Sequence, residues 1–390
     1  MTTANGILDN SAMAEIGRLL VNPRGLRRLA IGLSNADITP YRIDHNGDSR
    51  IFEQGVGNTA GTTDTQGDTG GGIGLQRRLW AREFGTQEAG VIPANDDRVV
   101  VGGTNLQSIP WIGPGGLAKT VTSAQSLGFP VPRGTSLSLE YWEHNGTNGL
   151  LDTGGLSYTL DGGAVVNVAK GSGVNLLKSV TFSASDAAHN VVVTGLSASN
   201  AAVICGIVYH SGKGVIVGRY GRKGWTSADL TGSGANNNLG ASTKAVLMST
   251  LAGVPGVSSC LAILCDYNDM AQQLAANQLT TPDKFEANLR LWVASRIANN
   301  GCALLIQGCP SAIAPPSGGA ILSEYYARME KIALDTDHVA CFKSSALFGT
   351  AADITANGLY WSDPHPNTNG YPYWHRSIFG AISSKVIPLI

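Results

Sequence analysis

The stretch Asp44-His45-Asn46-Gly47-Asp48-Ser49-Arg50 is the one around which the chain is read. It follows the β-like run Ile38-Thr39-Pro40-Tyr41-Arg42-Ile43 and precedes a glycine-rich segment. A Gly-Asp-Ser at a strand's end presents a serine hydroxyl on a sharp turn. It does so at the C-terminal edge, where open α/β sheets place their sites. Such a serine is inert unless a base and an oxyanion hole join it. The rest of the chain is read for those parts.

Upstream, residues 1–37 carry helix-like material. Ile7, Met13, Ile16, Leu19 and Leu20 lie at helical spacing behind Asn10-Ser11 as a cap, and Arg24 to Leu33 is basic and apolar. This N-terminal helical extension either packs on the domain or mediates assembly, as a homo-oligomer or in a virion. Downstream, residues 55–74 form a polar loop rich in Gly and Thr. No G-K-[ST] follows, so it is not a phosphate loop. Leu75 to Phe84 then has the period of an amphipathic helix.

The pattern changes near residue 93. From about Val99 to Tyr209 the chain runs in short alternating segments, such as Ser136 to Trp142, Lys178 to Phe182 and His189 to Thr194. Asp161-Gly162-Gly163 between two such runs is a hairpin signal. The expectation is an all-β sandwich inserted into an α/β chain. After Gly212 the α/β pattern returns. Gly214 to Tyr220, Ser259 to Cys265, Ala303 to Gln307 and Val339 to Phe342 read as strands. Pro282 to Ile297, behind Thr281 as cap, Ala320 to Leu334 and Tyr373 to Ser384 read as helices. The expected division is 1–37, 38–95, 96–212 (the insert) and 213–390.

The composition excludes several classes. Only 14% of the 390 residues are charged and the net charge is −1, so there is no basic footprint for nucleic acid and no polybasic membrane patch. Six cysteines make no C-x-x-C pair and mostly sit in apolar runs, the pattern of buried free thiols. No metal or cofactor is expected. No apolar stretch is long enough to span a membrane. The N-terminus lacks the basic and apolar regions of a signal peptide. The expected location is virion-associated or extracellular if the protein is phage-borne, and cytoplasmic otherwise.

Acyl transfer by serine needs a nucleophile, a base, an orienter for the base and oxyanion donors. Four blocks stand in order: Gly47-Asp48-Ser49, the turn Gly221 to Leu230 with Gly224, Asp266-Tyr267-Asn268-Asp269, and Asp363-Pro364-His365-Pro366. Taken alone, Ser49 and Gly224 are turn residues, and Asn268-Asp269 is a helix cap. Together they resemble the SGNH (GDSL-type) hydrolases over roughly residues 38–92 and 213–385. The resemblance implies a flavodoxin-like three-layer α/β/α core. It implies Ser49 as nucleophile, His365 as base and Asp363 as its orienter. The Ser49 and Gly224 backbone N–H groups and the Asn268 side chain are then the oxyanion donors. The insert resembles jelly-roll-type modules found between the first two blocks of some bacterial and phage-borne members, where they help position a polysaccharide.

Two departures stand out. Asp266 takes the place of the family's glycine. Asp363 lies two residues before His365 rather than three, with Ser362 at the usual acid position. Asp335-Thr336-Asp337-His338 keeps the family spacing better, but it comes too early and lacks the following proline. The reading that results is an esterase removing O-acetyl or other short acyl groups from a polysaccharide. The alternative is a non-catalytic structural or glycan-binding protein with a degenerate SGNH core. A lysophospholipase or thioesterase is a third reading, disfavoured because the loop after Ser49 is polar. In the insert, Tyr141, Trp142 and Tyr158 are either sugar-stacking or core residues.

Overall fold

The computed structural model describes residues 18–50, 72–96, 98–104, 106–110, 117–144, 152–171, 176–221, 224–230, 257–275 and 280–386. The helix expected over residues 7–20 lies outside them up to residue 17, as does most of the glycine-rich loop. The first described elements are β1 (Leu20–Val21), a 3₁₀ turn over Pro23–Leu26, α1 (Arg27–Ser34) and β2 (Tyr41–Gly47). Leu20 is therefore in a strand, not a helix, paired antiparallel with Phe342. Leu26, Leu29 and Leu33 are buried in the main core, so residues 20–33 pack on the domain.

Next come α2 (Gly72–Glu83) and β3 (Ala89–Pro93). Ten antiparallel strands follow: β4 (Val100–Gly102), β5 (Ser108–Pro110), β6 (Leu117–Val121), β7 (Ser126–Val131), β8 (Ser136–Glu143), β9 (Leu156–Leu160), β10 (Val166–Val168), β11 (Leu176–Ser183), β12 (His189–Gly195) and β13 (Ala202–His210). The chain then runs through β14 (Val215–Gly221), α3 (Ser227–Leu230), β15 (Ser259–Leu264), α4 (Tyr267–Ala271), α5 (Pro282–Ala298) and β16 (Cys302–Ile306). It ends with α6 (Leu322–Asp335), β17 (Val339–Phe342), α7 (Ser344–Phe348), α8 (Ala351–Ala356), the short pair β18 (Tyr360–Ser362) and β19 (His365–Pro366), and α9 (Gly370–Lys385).

Strands β17, β16, β15, β2, β14 and β3 lie side by side and run parallel. Without β3, their chain order across the sheet is 2-1-3-4-5, that of a doubly wound α/β sheet. The chain leaves β2 for β14 on one side and reaches β15 on the other. The crevice between β2 and β15 is thus the switch point, where such sheets bind ligands. Both faces are covered. Ile43, Cys260, Ala262 and Leu264 pack with α1, α2 and α9, while Leu261 and Ile263 pack with α5 and α6. Alternate side chains of one strand feed opposite layers, so β15 is apolar almost throughout.

The antiparallel strands do not hang from linkers. β13 pairs antiparallel with β3, from Gly206 opposite Pro93 to Tyr209 opposite Gly90. The large sheet therefore continues through β13 into β6, β5, β8 and β11. A second, five-stranded antiparallel sheet in the order β10-β9-β12-β7-β4 lies against it. Leu127, Phe129, Leu137, Leu139, Val191 and Val193 are buried in the shared core. The turn between β9 and β10 carries positive φ at Asp161 (51°) and Gly162 (72°), the conformation a tight twisted hairpin requires. The sequence reading passed over β3, which contains only two strong strand formers, Val91 and Ile92, before its proline.

β2 is buried along its whole length although it reads Tyr-Arg-Ile-Asp-His-Asn-Gly. Its charges are paired in place. Arg42 Nε donates to Asp44 at 2.6 Å, its guanidinium binds Glu140 of β8 and Tyr220 of β14, and Arg296 of α5 reaches Asp44 at 2.9 Å. A buried pair whose partner is removed leaves an uncompensated charge, at a cost of about 3–5 kcal/mol. Glu140→Ala should cost about 3 kcal/mol, the low end, because Arg42 keeps Asp44. Urea denaturation checks this through a lowered midpoint. An unshifted midpoint would mean the network adds nothing to stability.

Candidate active site

Ser49 follows β2 directly, at the switch-point edge. Gly47 has φ 154°, a backbone region closed to residues with a Cβ, and this lets the chain turn out of the strand. The Asp48 N–H then donates to the Leu264 carbonyl of β15 at 3.2 Å. Asp48 and Arg50, on either side of Ser49, are buried and ion-paired, with Asp48 Oδ1 also accepting the Arg50 N–H at 2.9 Å. Arg50 continues to Asp266 at 2.6 Å, and Asp266 Oδ2 accepts the Gly308 N–H at 2.6 Å. Asp266 precedes α4 but does not cap it with its side chain. Asp266, which stands where the resemblance calls for a glycine, is thus engaged in a buried ion pair to the residue after Ser49. Burial raises the Asp266 carboxyl above its ordinary range, while Arg50 opposes the rise. A Cβ on Gly308 would overlap the Arg50 guanidinium.

His365 Nε2 stands 2.8 Å from Ser49 Oγ, although 316 residues separate them. The imidazole is carried by the β18–β19 hairpin, where Ser362 pairs with His365. Asn367 pins this hairpin: its amide donates to the Gly358 and Tyr360 carbonyls, and its Oδ1 accepts the Asn369 and Gly370 N–H groups at the start of α9. The Tyr360 hydroxyl also donates to the Pro310 carbonyl. Asp363 does not follow the expected pattern. Its Oδ2 accepts from the Ala312 N–H at 2.7 Å, so its hydrogen bond goes to the loop after β16 and not to the imidazole.

Gly224 lies just past β14 and Asn268 just past β15, the two strands that flank β2. Gly224 has φ 79°, with open space where a Cβ would stand. Asn268 Nδ2 donates to the Trp225 carbonyl at 2.9 Å, which leaves its second N–H for another acceptor. The three turns that bear Ser49, Gly224 and Asn268 therefore adjoin at one sheet edge. Asp269 is buried beneath them, accepting from Ser227 and Cys265. Burial pushes its carboxyl up to about 7, against the lowering effect of those hydrogen bonds.

Other candidates fall elsewhere. His338 precedes β17, at the edge opposite Ser49, and Asp335 is paired with Arg290 at 2.8 Å. His45 is buried within β2, bonded to Gln76 at 2.9 Å, and burial lowers its pKa to about 4. Trp142 and Tyr158 are buried, Tyr158 stacked on Phe182 with ring centroids 4.4 Å apart, so both are packing residues. All six cysteines are buried and free. No described helix is long and apolar enough to cross a membrane. The sequence reading missed the partners of Arg50, Asp266, Asp269 and Asn367. Arg50 and Asp266 are 216 residues apart and Ser227 and Asp269 are 42 apart, so no local pattern in the chain marks these pairs.

No protein-family model matches the chain, and no curated protein matches it. Among solved structures it is similar to a peptidoglycan O-acetylesterase, at a TM-score of 0.63 and 16% identity, over 95% of this chain and 100% of that one. That likeness shows a shared fold. A salicylyl-acyltransferase, SsfX3, from a tetracycline biosynthetic pathway matches at a TM-score of 0.31 and 12% identity, over 76% of this chain and 97% of that one. A family 35 carbohydrate binding module from Clostridium thermocellum matches at 0.24 and 19% identity, over 30% of this chain and 97% of that one. Scores this low add nothing to the fold assignment.

Asp269 makes stability depend on pH. The unfolded chain releases this proton near pH 3.8 and the folded protein near 7. Between those values the folded state holds more protons, so stability falls as pH rises. The contribution is complete below the lower value and lost above the upper one. Asp269→Asn should flatten the decline of melting temperature across this window. Equal slopes in variant and parent would remove the assignment.

Proposed function

We propose that the protein is a serine esterase of the SGNH type that removes acetyl or other short acyl groups from a polysaccharide. The observation that carries this reading is the 2.8 Å approach of His365 Nε2 to Ser49 Oγ at the switch point of a doubly wound sheet. The fold shared with a peptidoglycan O-acetylesterase supports the substrate class. The two-layered antiparallel strands are read as the inserted jelly-roll-like module, which would help hold the glycan.

In the mechanism, His365 takes the Ser49 proton as Oγ attacks the ester carbonyl. Negative charge develops on the carbonyl oxygen, met by the Ser49 and Gly224 N–H groups and the free N–H of Asn268 Nδ2. His365 then gives its proton to the departing sugar oxygen. Water, deprotonated by the same imidazole, attacks the acyl-serine, and as the Oγ–acyl bond breaks His365 returns that proton to Ser49 Oγ and the acid leaves. The chain's own groups supply every proton transfer.

One observation favours the second reading, a glycan-binding or structural protein with a degenerate site. Asp363 is engaged by Ala312 and does not orient the base. Hydrolysis of p-nitrophenyl acetate and release of acetate from O-acetylated polysaccharides separate the two. Ser49→Ala and His365→Ala should each lower kcat by about 10³-fold or more. Asp363→Ala should cost only about tenfold, since the imidazole does not depend on it for orientation. Parent protein that binds acetylated glycan without turnover would favour the second reading.

A further inference from the structure

We propose that Asp269 is a positioning residue for the oxyanion hole, holding the turn that carries Gly224 in register with Asn268. This rests on the esterase reading. Within residues 224–230 the turn after β14 is fixed locally by the Thr226–Asp229 bonds and by Trp225 in the core. Gly224 sits at positive φ with no side chain, and α3 is a single turn of helix. The turn is also held from the neighbouring strand's end. The Ser227 N–H donates to both Asp269 oxygens at 2.9 Å, and the Ser227 hydroxyl donates to Oδ1 at 2.5 Å. Asn288 of α5 donates to the same hydroxyl at 2.9 Å. Thr280 fixes Asp269 from below, its hydroxyl donating to the Asp269 carbonyl at 2.7 Å.

An acid in the first turn of α4 would ordinarily serve its own helix's N–H groups. Asp269 instead accepts from a residue 42 positions earlier, and both Asp269 and Ser227 are fully buried. One residue away, Asn268 Nδ2 holds the Trp225 carbonyl. Two adjacent residues after β15 therefore grip the turn on both sides of Thr226, three residues or fewer from Gly224. Thr226 itself bonds locally to Asp229 and adds no tie to β15. The turn of Gly224 is thus tied to the end of β15 by two contacts, the Asp269 carboxyl to Ser227 and the Asn268 amide to the Trp225 carbonyl. Oxyanion donors act only when aimed at the developing charge, so a small displacement of Gly224 is felt in the transition state more than in substrate binding.

The test is Asp269→Asn in the full chain. Assayed above about pH 7, the Asp269 carboxyl is ionised and offers two acceptor oxygens where the amide offers one. With p-nitrophenyl acetate, kcat should fall about 10- to 100-fold while KM stays within about threefold. Amide exchange across residues 224–229 should quicken, with exchange in β15 and β16 unchanged. Ser227→Ala, which keeps the N–H and loses the hydroxyl, should give a smaller drop in kcat, and it carries the test if the Asn variant does not fold. An active parent with unchanged kcat in both variants would overturn the proposal. So would unchanged exchange over 224–229. A parent without turnover would overturn the esterase reading and the catalytic part of this one. The exchange measurement would still decide whether Asp269 holds the turn.

Discussion

Arg50 lies wholly buried between Asp48 and Asp266, and the candidate site depends on that arrangement. Two carboxylates face one guanidinium, so each charge is compensated only while all three stay together. Asp48 belongs to the turn after β2, Asp266 to the end of β15, and the Gly308 N–H that Asp266 accepts to the loop after β16. Three neighbouring strand ends are therefore tied at one point, through the two residues that flank Ser49. Gly308 contributes by what it lacks, because a side chain there would occupy the volume of the guanidinium.

The same logic runs down the sheet. β2 is central and buried, yet it carries Arg42 and Asp44, and these reach Glu140 of the antiparallel strands and Arg296 of α5. A strand read as an apolar core element would have no reason to choose among partners. A charged one accepts only the register that pairs it. The antiparallel layers are bound to the parallel sheet both by the β3–β13 ladder and by this network. The parallel and antiparallel strands therefore form one sheet.

Much of this was legible in the residues. The Gly47-Asp48-Ser49 turn, the buried strand over 259–264, the helix beginning at Pro282 and the hairpin at Asp161-Gly162 all announce themselves through period or turn chemistry. His365 stood out because a rigid loop between two prolines is a poor place for a packing histidine, and it lies 2.8 Å from Ser49 Oγ. The failures share a cause. Asp266 was seen as a departure from a glycine, but its partner Arg50 is 216 residues away. Asp363 had the residue type of an orienter, and its carboxylate turned to Ala312 instead. Trp142 and Tyr158 alternate as surface residues of a half-buried strand would, but Tyr158 faces the core between the two sheets and Trp142 packs on the large sheet's other face with Leu177 and Val203.

The sequence by itself determined the kind of each main element and the chemistry at the strand ends, since these depend on neighbours within a few positions. Hydrophobic period, glycine at positive φ and proline at a helix start act over one turn of chain. Tertiary structure alone decided which strand lies beside which. From that order came the meeting of Ser49 with His365, the burial of Arg50 between two acids, and the grip of Asp269 on Ser227. The physical reason is that a buried charge or donor is satisfied by whatever the packed sheet brings within about 3 Å, and that distance is not written in chain separation.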